Sequence, residues 1–286
     1  MMSFFNKNIF ALLIIVISLI VTFLCFSDNK KIEIYNVYHK GTTIYKNDIV
    51  IPIHAGRELK KEYGLPLIDR MIGDNTGDNI SYLNDKYSEL TALYWIWKNS
   101  KADIVGLMHY RRYFDLSENV KNINCDDFLC NLGMTHDNVY KLMKDFDIIV
   151  VSYPVFENMT QYNFYKYWHY VENLDRAFEF VEELDEKEYK YITRVKMSKK
   201  AIGNNMFIMR KNILDEYAKW LFNILFSIDD EFIYDNSLSR VKTKSNDAIF
   251  QNRAPAFVGE RLFHLWIESR RKIYKIKEVE VKFIEQ

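Results

Sequence analysis

Apolar and polar positions along this chain change period several times, and each change predicts an element. Residues 9–26 form an apolar run without a charge, softened only by Ser18 and Thr22. Residues 31–38 alternate as a strand does and stop at His39-Lys40-Gly41. Residues 48–56 are apolar nearly throughout, which predicts a strand covered on both faces and ending in His54-Ala55-Gly56. The next apolar strand, Ile104-Val105-Gly106-Leu107-Met108, runs directly into His109-Tyr110-Arg111-Arg112-Tyr113-Phe114. Between these strands lie an acidic, glycine-rich turn over 72–80 and a helix over 87–98. Leu90, Leu93, Tyr94 and Trp97 share one face of that helix, and Asn84 or Asp85 is its expected N-cap.

The second half continues in the same manner. A helix over 138–144 leads into a strand over 146–154, which Pro154 ends. Residues 161–171 are crowded with aromatic rings, including Tyr165, Tyr167 and Trp168, beside His169. They predict either a surface that stacks on an acceptor sugar, with Trp168 and His169 in contact, or a helix packed on two sides. Residues 172–200 are highly charged and predict a solvated helical excursion and a loop. A strand over 205–209 precedes a helix capped by Asn212 whose stripe includes Leu214, Tyr217, Leu221 and Ile228. Residues 274–281 alternate as a closing edge strand would. There is no internal repeat and no Pro- or Gly-rich linker. The layout is α/β, and 286 residues suit one large domain over 27–286, after a tail of residues 1–8 and the run 9–26.

As a helix, that run reaches roughly 27 Å, enough to cross the hydrocarbon of a bilayer, and it predicts a transmembrane anchor. A cleaved signal peptide is the rival reading, but no A-x-A-like site follows. A lipoprotein reading of Cys25 meets Leu24, where a small residue is wanted. Lys7 and the amino terminus nearly balance Lys30 and Lys31, so charge does not set the orientation. Cys125 and Cys130 lie too close together to suggest a scaffold disulfide, and free thiols suit a reducing cytoplasm. Lys and Arg together number 39, as do Asp and Glu, so the chain lacks the broad positive field that nucleic-acid binding requires.

An apolar strand that delivers a histidine and two arginines at its carboxyl end has the layout of an α/β ligand site. Guanidinium holds two phosphate oxygens at once and never deprotonates. Arg111 and Arg112 are therefore expected to receive the diphosphate of an activated sugar as negative charge develops on it. The plainer alternative is a solvated or salt-bridged pair. Many sugar transferases hold a divalent cation with Asp-x-Asp, and no such motif closes a strand here, so neither a metal site nor a cofactor is expected. In the alternative reading, manganese or magnesium binds the oxygens of Asp74 and Asp78, with those of Asn75, Thr76 and Asn79, although such clusters also form turns without metal. His39, His54, Tyr110, Glu89 and the acidic turn with Asp74, Asp78 and Asn79 are placed around the nucleotide sugar. Glu89 is a base, a partner for Arg111, or a surface acid. Glu260 and His109 are the candidates for taking the acceptor's proton, with an internal pair between Glu260 and Arg111 or Arg253 as the alternative.

Five fragments occur in order: Ile51-Pro52-Ile53-His54; Gly73-Asp74 with Gly77-Asp78-Asn79-Ile80-Ser81; Glu89-Leu90-Thr91-Ala92-Leu93-Tyr94-Trp95 with Trp97-Lys98; Gly106 with His109-Tyr110-Arg111-Arg112-Tyr113-Phe114; and Gly259-Glu260-Arg261-Leu262. Together they resemble a bacterial family of capsular and exopolysaccharide biosynthesis proteins, long catalogued as a domain of unknown function and regarded as glycosyltransferases of the GT-A type. The resemblance covers about residues 31–284. It implies a GT-A-like, Rossmann-related mixed sheet flanked by helices. It also implies transfer of a sugar, galactose or galactofuranose among the options, from a nucleotide-sugar donor to a growing capsular, exopolysaccharide or O-antigen glycan. The acceptor would be lipid-linked or a polysaccharide. Family members mostly begin at the first strand, so the anchor is a departure. A bacterial donor is made in the cytosol, which places the domain on the cytoplasmic face of the inner membrane. The rival functions are a sugar-phosphate transferase and a non-catalytic glycan-binding assembly protein. In a eukaryotic source, Asn79 and Asn158 would sit in glycosylation sequons of a Golgi enzyme.

Overall fold

Eight strands form one mixed sheet: β1 (Ile32–Tyr38), β2 (Val50–His54), β3 (Ile72–Gly73), β4 (Ile104–His109), β5 (Arg112–Asp115), β6 (Ile148–Pro154), β7 (Lys200–Arg210) and β8 (Ile276–Phe283). The computed structural model describes residues 30–285 except 40–42, 60–69, 120–126, 236, 238, 240–242 and 246. The chain divides into two units, Met1–Lys31 and Ile32–Gln286, and the second carries the sheet. The apolar run 9–26 lies outside the described residues; among those described, no helix is long and apolar enough to cross a membrane.

Strands β1 to β4 are mutually parallel where they pair, with β1 between β2 and β4 and β3 beyond β2. Strand β7 then pairs antiparallel with β4 and with β6, and β8 runs parallel to β6. Strand β5 pairs with β8 and closes back on β4 through His109 opposite Arg112, leaving Tyr110 and Arg111 as the turn between them. The parallel strands are buried on both faces, as their near-continuous apolar composition requires. Strand β8 lies between β5 and β6, so the expectation of a closing edge strand is corrected.

One face of the sheet is covered by α1 (Leu90–Asn99) and by later helices, the other chiefly by α2 (His136–Asp145). The later helices are α3 (Gln161–Trp168), α4 (Val171–Leu184), α5 (Tyr189–Met197), α6 (Lys211–Ser227) and α7 (Ala254–Arg270). The charged stretch 172–200 is not a solvated excursion, because Leu174, Phe178, Val181, Ile192 and Val195 are buried in the main core. Each such side chain contributes about 1.5–3 kcal/mol by leaving water. Asn212 sits in the first turn of α6, with Arg210 at the cap position. Cys130 is disulfide-bonded, which corrects the expectation of free thiols. The argument for a reducing compartment falls with it; Cys25 and Cys125 lie outside the described residues.

The aromatic helix begins at Leu90 because Ser88 interrupts it. Asn84–Tyr87 forms a separate turn, after which Ser88 takes φ 47° and ψ −124°, a conformation that costs an L-residue roughly 1–3 kcal/mol. The Asn84 amide does not cap a helix as an acceptor. It donates to the Ser88 carbonyl at 2.8 Å and to Thr91 Oγ1 at 3.0 Å, and the Thr91 main-chain N–H donates to the same carbonyl at 3.2 Å. Two donors on one carbonyl thus hold a strained residue, which points Glu89 and Ser88 into the space described next.

Candidate active site

A cleft of about 1070 Å³ opens beyond the carboxyl ends of β1, β2 and β4. His39 follows β1, His54 and Gly56 come from the end of β2, and His109, Tyr110, Arg111 and Arg112 come from the end of β4. Glu89 and Ser88 enter from the start of α1, and Arg253, Phe257 and Glu260 from the start of α7. Elements this distant in sequence meet because α7 packs on the Asn84–Tyr87 turn and on Leu90, the first residue of α1. A Cβ built on Gly259 would lie 2.8 Å from Leu90 Cδ1, in a place where Leu90 is fully buried and has little room to move. That contact sets Glu260 and Glu89 on adjacent walls.

The cationic part of the cleft stands on aromatic rings. The Arg111 guanidinium lies 5.0 Å from the Tyr110 ring centre and 5.7 Å from that of Phe283, and Arg112 lies 5.8 Å from Phe283. Among the described residues neither arginine forms an ion pair with a carboxylate, and Arg111 Nε is buried without a hydrogen-bond partner. Arg253 likewise lacks a carboxylate partner there and donates from Nε to Ser88 Oγ at 2.7 Å. Three guanidinium groups around one cleft repel one another, so an anion entering it relieves that repulsion and meets no carboxylate already paired with them.

The acidic part is held apart from them. Glu89 accepts from the Asn205 amide at 2.9 Å. Glu260 pairs with Arg261, its neighbour on α7, at 2.7 Å, and not with Arg111 or Arg253. Burial raises the Glu260 carboxyl above its ordinary range, and the charge of Glu89 adds to this; Arg261, Arg112 and Arg253 oppose it without cancelling it. Burial lowers the His109 imidazole below its ordinary value; the charge of Glu89 and the bond to Asn204 oppose this without cancelling it, and Arg112 and Arg253 add to it, so the ring is neutral near pH 7. Its Nε2 lies against the main-chain oxygen of Asn204. Asn204 and Asn205 both have positive φ, 58° and 51°, in a bulge where the pairing of β6 with β7 shifts register. The pairing of β4 with β7 ends at Leu107 opposite Phe207, and the bulge beyond it presents the Asn204 carbonyl to His109.

His54 also lines the cleft. It is lowered by burial and then by Arg57, whose Nε lies 3.4 Å from its Nδ1. The exposed His39 ring meets Tyr110 edge to face, centres 5.0 Å apart.

Five expected site residues do not reach the cleft. Asp74 is fully buried and accepts from Gly56 N at 2.8 Å, Arg57 N at 3.1 Å, Thr91 Oγ1 at 2.6 Å and Ser81 Oγ. Its oxygens are committed to holding the β2 turn against α1, which leaves nothing for a nucleotide or cation. Asp78 is exposed and accepts from Tyr94 Oη, and the Asn79 amide closes its own turn on Gly77. His169 is buried between Phe250 and Phe257, behind the cleft wall, and the Trp168 carbonyl accepts from Gln251. Among the described residues no cluster of three or more His, Cys, Asp or Glu has a geometry that could hold a metal ion.

Conversely, sequence reasoning did not place Arg253, Ser88, Asn204 or Asn205 in the site. The Asn204-Asn205 pair is the one detectable signal, since two asparagines inside a strand pattern favour a left-handed bulge.

The structure is similar to the apo structure of the WbbM bifunctional glycosyltransferase, with a TM-score of 0.73 and 29% sequence identity. The match covers 90% of this chain and 46% of that one, so this chain spans about half the length of that protein. No curated protein matches it significantly. The family described as a domain of unknown function (DUF4422) matches residues 33–271, from the first strand through the last long helix, and the chain belongs to that family.

Proposed function

We propose that this protein is a glycosyltransferase of the GT-A type that moves a sugar from a nucleotide-sugar donor to a surface glycan. The observation that carries the reading is the convergence of Arg111, Arg112 and Arg253, none with a carboxylate partner among the described residues, in a cleft that also holds Glu89, Glu260 and a neutral histidine. The similarity to a glycosyltransferase supports it.

In this reading the nucleoside diphosphate lies over the arginines, near His39, His54 and Tyr110. An acceptor hydroxyl attacks the anomeric carbon. The new C–O bond forms as the bond from that carbon to the diphosphate oxygen breaks, and the nucleoside diphosphate leaves with the electron pair. Glu260 takes the acceptor's proton, which is the work of a base in an inverting displacement. The arginines stabilise the leaving charge, a role a divalent cation fills in many transferases. Glu89, anchored by Asn205, is positioned for a donor hydroxyl. Galactose and galactofuranose donors are the first to test, with a lipid-linked or polysaccharide acceptor at the cytoplasmic face of a membrane.

The test is a panel of UDP-, GDP- and dTDP-sugars added to the purified chain. Melting temperature is read first, because a ligand that binds only the native form raises it. Release of free nucleotide is read second. A rise with one donor and its slow hydrolysis are expected; no response to any of them overturns the reading.

A further inference from the structure

Glu260 lines a second cavity as well as the cleft, and it is the single residue common to both. This cavity has a volume of about 290 Å³ and is walled by Tyr153, Pro154, Phe156, Phe164, Ile202 and Arg261, among others. The size is at the lower bound of small-molecule pockets, which run about 300–1,000 Å³. Its chemistry contrasts with that of the cleft, since aromatic and aliphatic side chains make most of its wall and the charged groups, Glu260 and Arg261, are confined to one part of it.

Three features indicate a built site. Arg261 is only 6% exposed, and its Nε has no hydrogen-bond partner although Nη1 holds Glu260 and the Phe257 carbonyl. A buried guanidinium with an unspent N–H is costly unless a ligand oxygen completes it. A Cβ built on Gly203 would lie 2.5 Å from Tyr153 Oη, so glycine is what lets this phenol lie across β7 and form a flat wall. On the rim, Glu157 and Asn158 hold positive φ, 50° and 57°, in a turn that carries Phe156, 57% exposed, beside the opening. Backbone strain that places an aromatic ring in solvent is consistent with a ring waiting for a partner.

We infer that this second cavity is the seat of the acceptor, taking one sugar ring by its apolar C–H face against Tyr153 and Phe164, with the reacting hydroxyl directed at Glu260 and a second hydroxyl at Arg261 Nε. The inference rests on the transferase reading for the word acceptor, but the sugar site itself does not. A polyprenyl chain fits less well, because a lipid needs a longer groove and gains nothing from a carboxylate and a guanidinium at one end. Glu260 stands between the two spaces. There it receives the proton of the acceptor O–H as that oxygen bonds to the donor's anomeric carbon and the diphosphate departs.

Saturation-transfer NMR on the full chain, with methyl glycosides of glucose, galactose, mannose and N-acetylglucosamine as probes, tests this directly. At least one probe is expected to receive saturation, strongest at the protons of one ring face. Phe164→Ala should weaken that binding roughly tenfold through the lost ring contact. Ala201→Phe, which fills the cavity, should abolish it while the nucleotide-sugar response stays as in the unaltered protein. Arg111→Ala should do the reverse, losing the nucleotide sugar and keeping the glycoside. Absence of transfer to every probe, or binding that survives Ala201→Phe in a folded protein, overturns the inference. Failure of all nucleotide sugars with glycoside binding intact removes the transferase reading and leaves a carbohydrate-binding cavity.

Discussion

His109 and Asn204, 95 residues apart, are joined by a hydrogen bond from imidazole Nε2 to the main-chain oxygen of a residue in the left-handed region. A carbonyl only accepts, so Nε2 carries the proton and, in the neutral ring, Nδ1 is the basic nitrogen. One backbone distortion therefore sets the tautomer of a residue that the sequence places on another strand.

Asn204→Gly is expected to keep this arrangement, because glycine takes φ 58° without a Cβ penalty. The variant loses the Asn204 side-chain bond to Tyr153, a cost of about 0.5–1.5 kcal/mol. Asn204→Val should be less stable than the glycine variant by a further 1–2 kcal/mol or so. Urea denaturation of the two variants checks the order; a valine variant as stable as the glycine one would mean that the left-handed turn is not what the bulge requires.

Arg111→Ala and Arg112→Ala should each cost about 2–4 kcal/mol of transition-state stabilisation, a loss in kcat/KM of roughly a hundredfold or more. Lysine at either position should recover only part of this, since an ammonium lacks the planar pair of donors. Steady-state kinetics with the donor that responds is the measurement, with circular dichroism to show intact folding. Unchanged turnover would remove that arginine from the chemistry.

The raised Glu260 carboxyl has two opposite pH consequences. As a base it must be ionised, so kcat/KM should fall with one proton as pH drops through a value above the usual carboxylate range, and Glu260→Gln should remove both the activity and this limb. For stability the sign is reversed. A carboxyl whose folded pKa exceeds its unfolded one stabilises the fold when protonated, and that contribution is lost as pH rises through the folded value. Glu260→Gln should therefore melt higher than the natural protein at pH 7, the gap closing as pH falls toward 4. A gap that widens on acidification would show that the pair with Arg261 outweighs burial.

Chelation by EDTA is expected to leave turnover largely intact if guanidinium groups alone receive the diphosphate. Complete loss restored by manganese would displace them from that role.

Asp74→Asn should cost about 2–4 kcal/mol, because an amide cannot accept from two main-chain N–H groups and two hydroxyls as the carboxylate does. Thermal unfolding measures it. An unaffected melting temperature would show that the turn is held by something else.

Local sequence carried much of this architecture. Period and composition determine β1, β2 and β4 as buried strands, because a strand covered on both faces must be apolar throughout. They also deliver Arg111 and Arg112 to a strand tip, because charged side chains following an apolar run have nowhere to go but its end. What tertiary structure alone decided concerns pairs whose members lie far apart. Asp74 and Glu260 are both carboxylates beside glycine, yet the first is consumed by four donors, from the turn after β2, from Ser81 and from α1, while the second faces two cavities; no local pattern separates them. Arg253 joins the arginine turn because α7 packs on Leu90 through Gly259, and β8 enters the middle of the sheet because β5 folds back on β4. Period reports which side of an element avoids water. Which partner covers that side, and which polar groups are then left without one, is set only when distant elements close on each other.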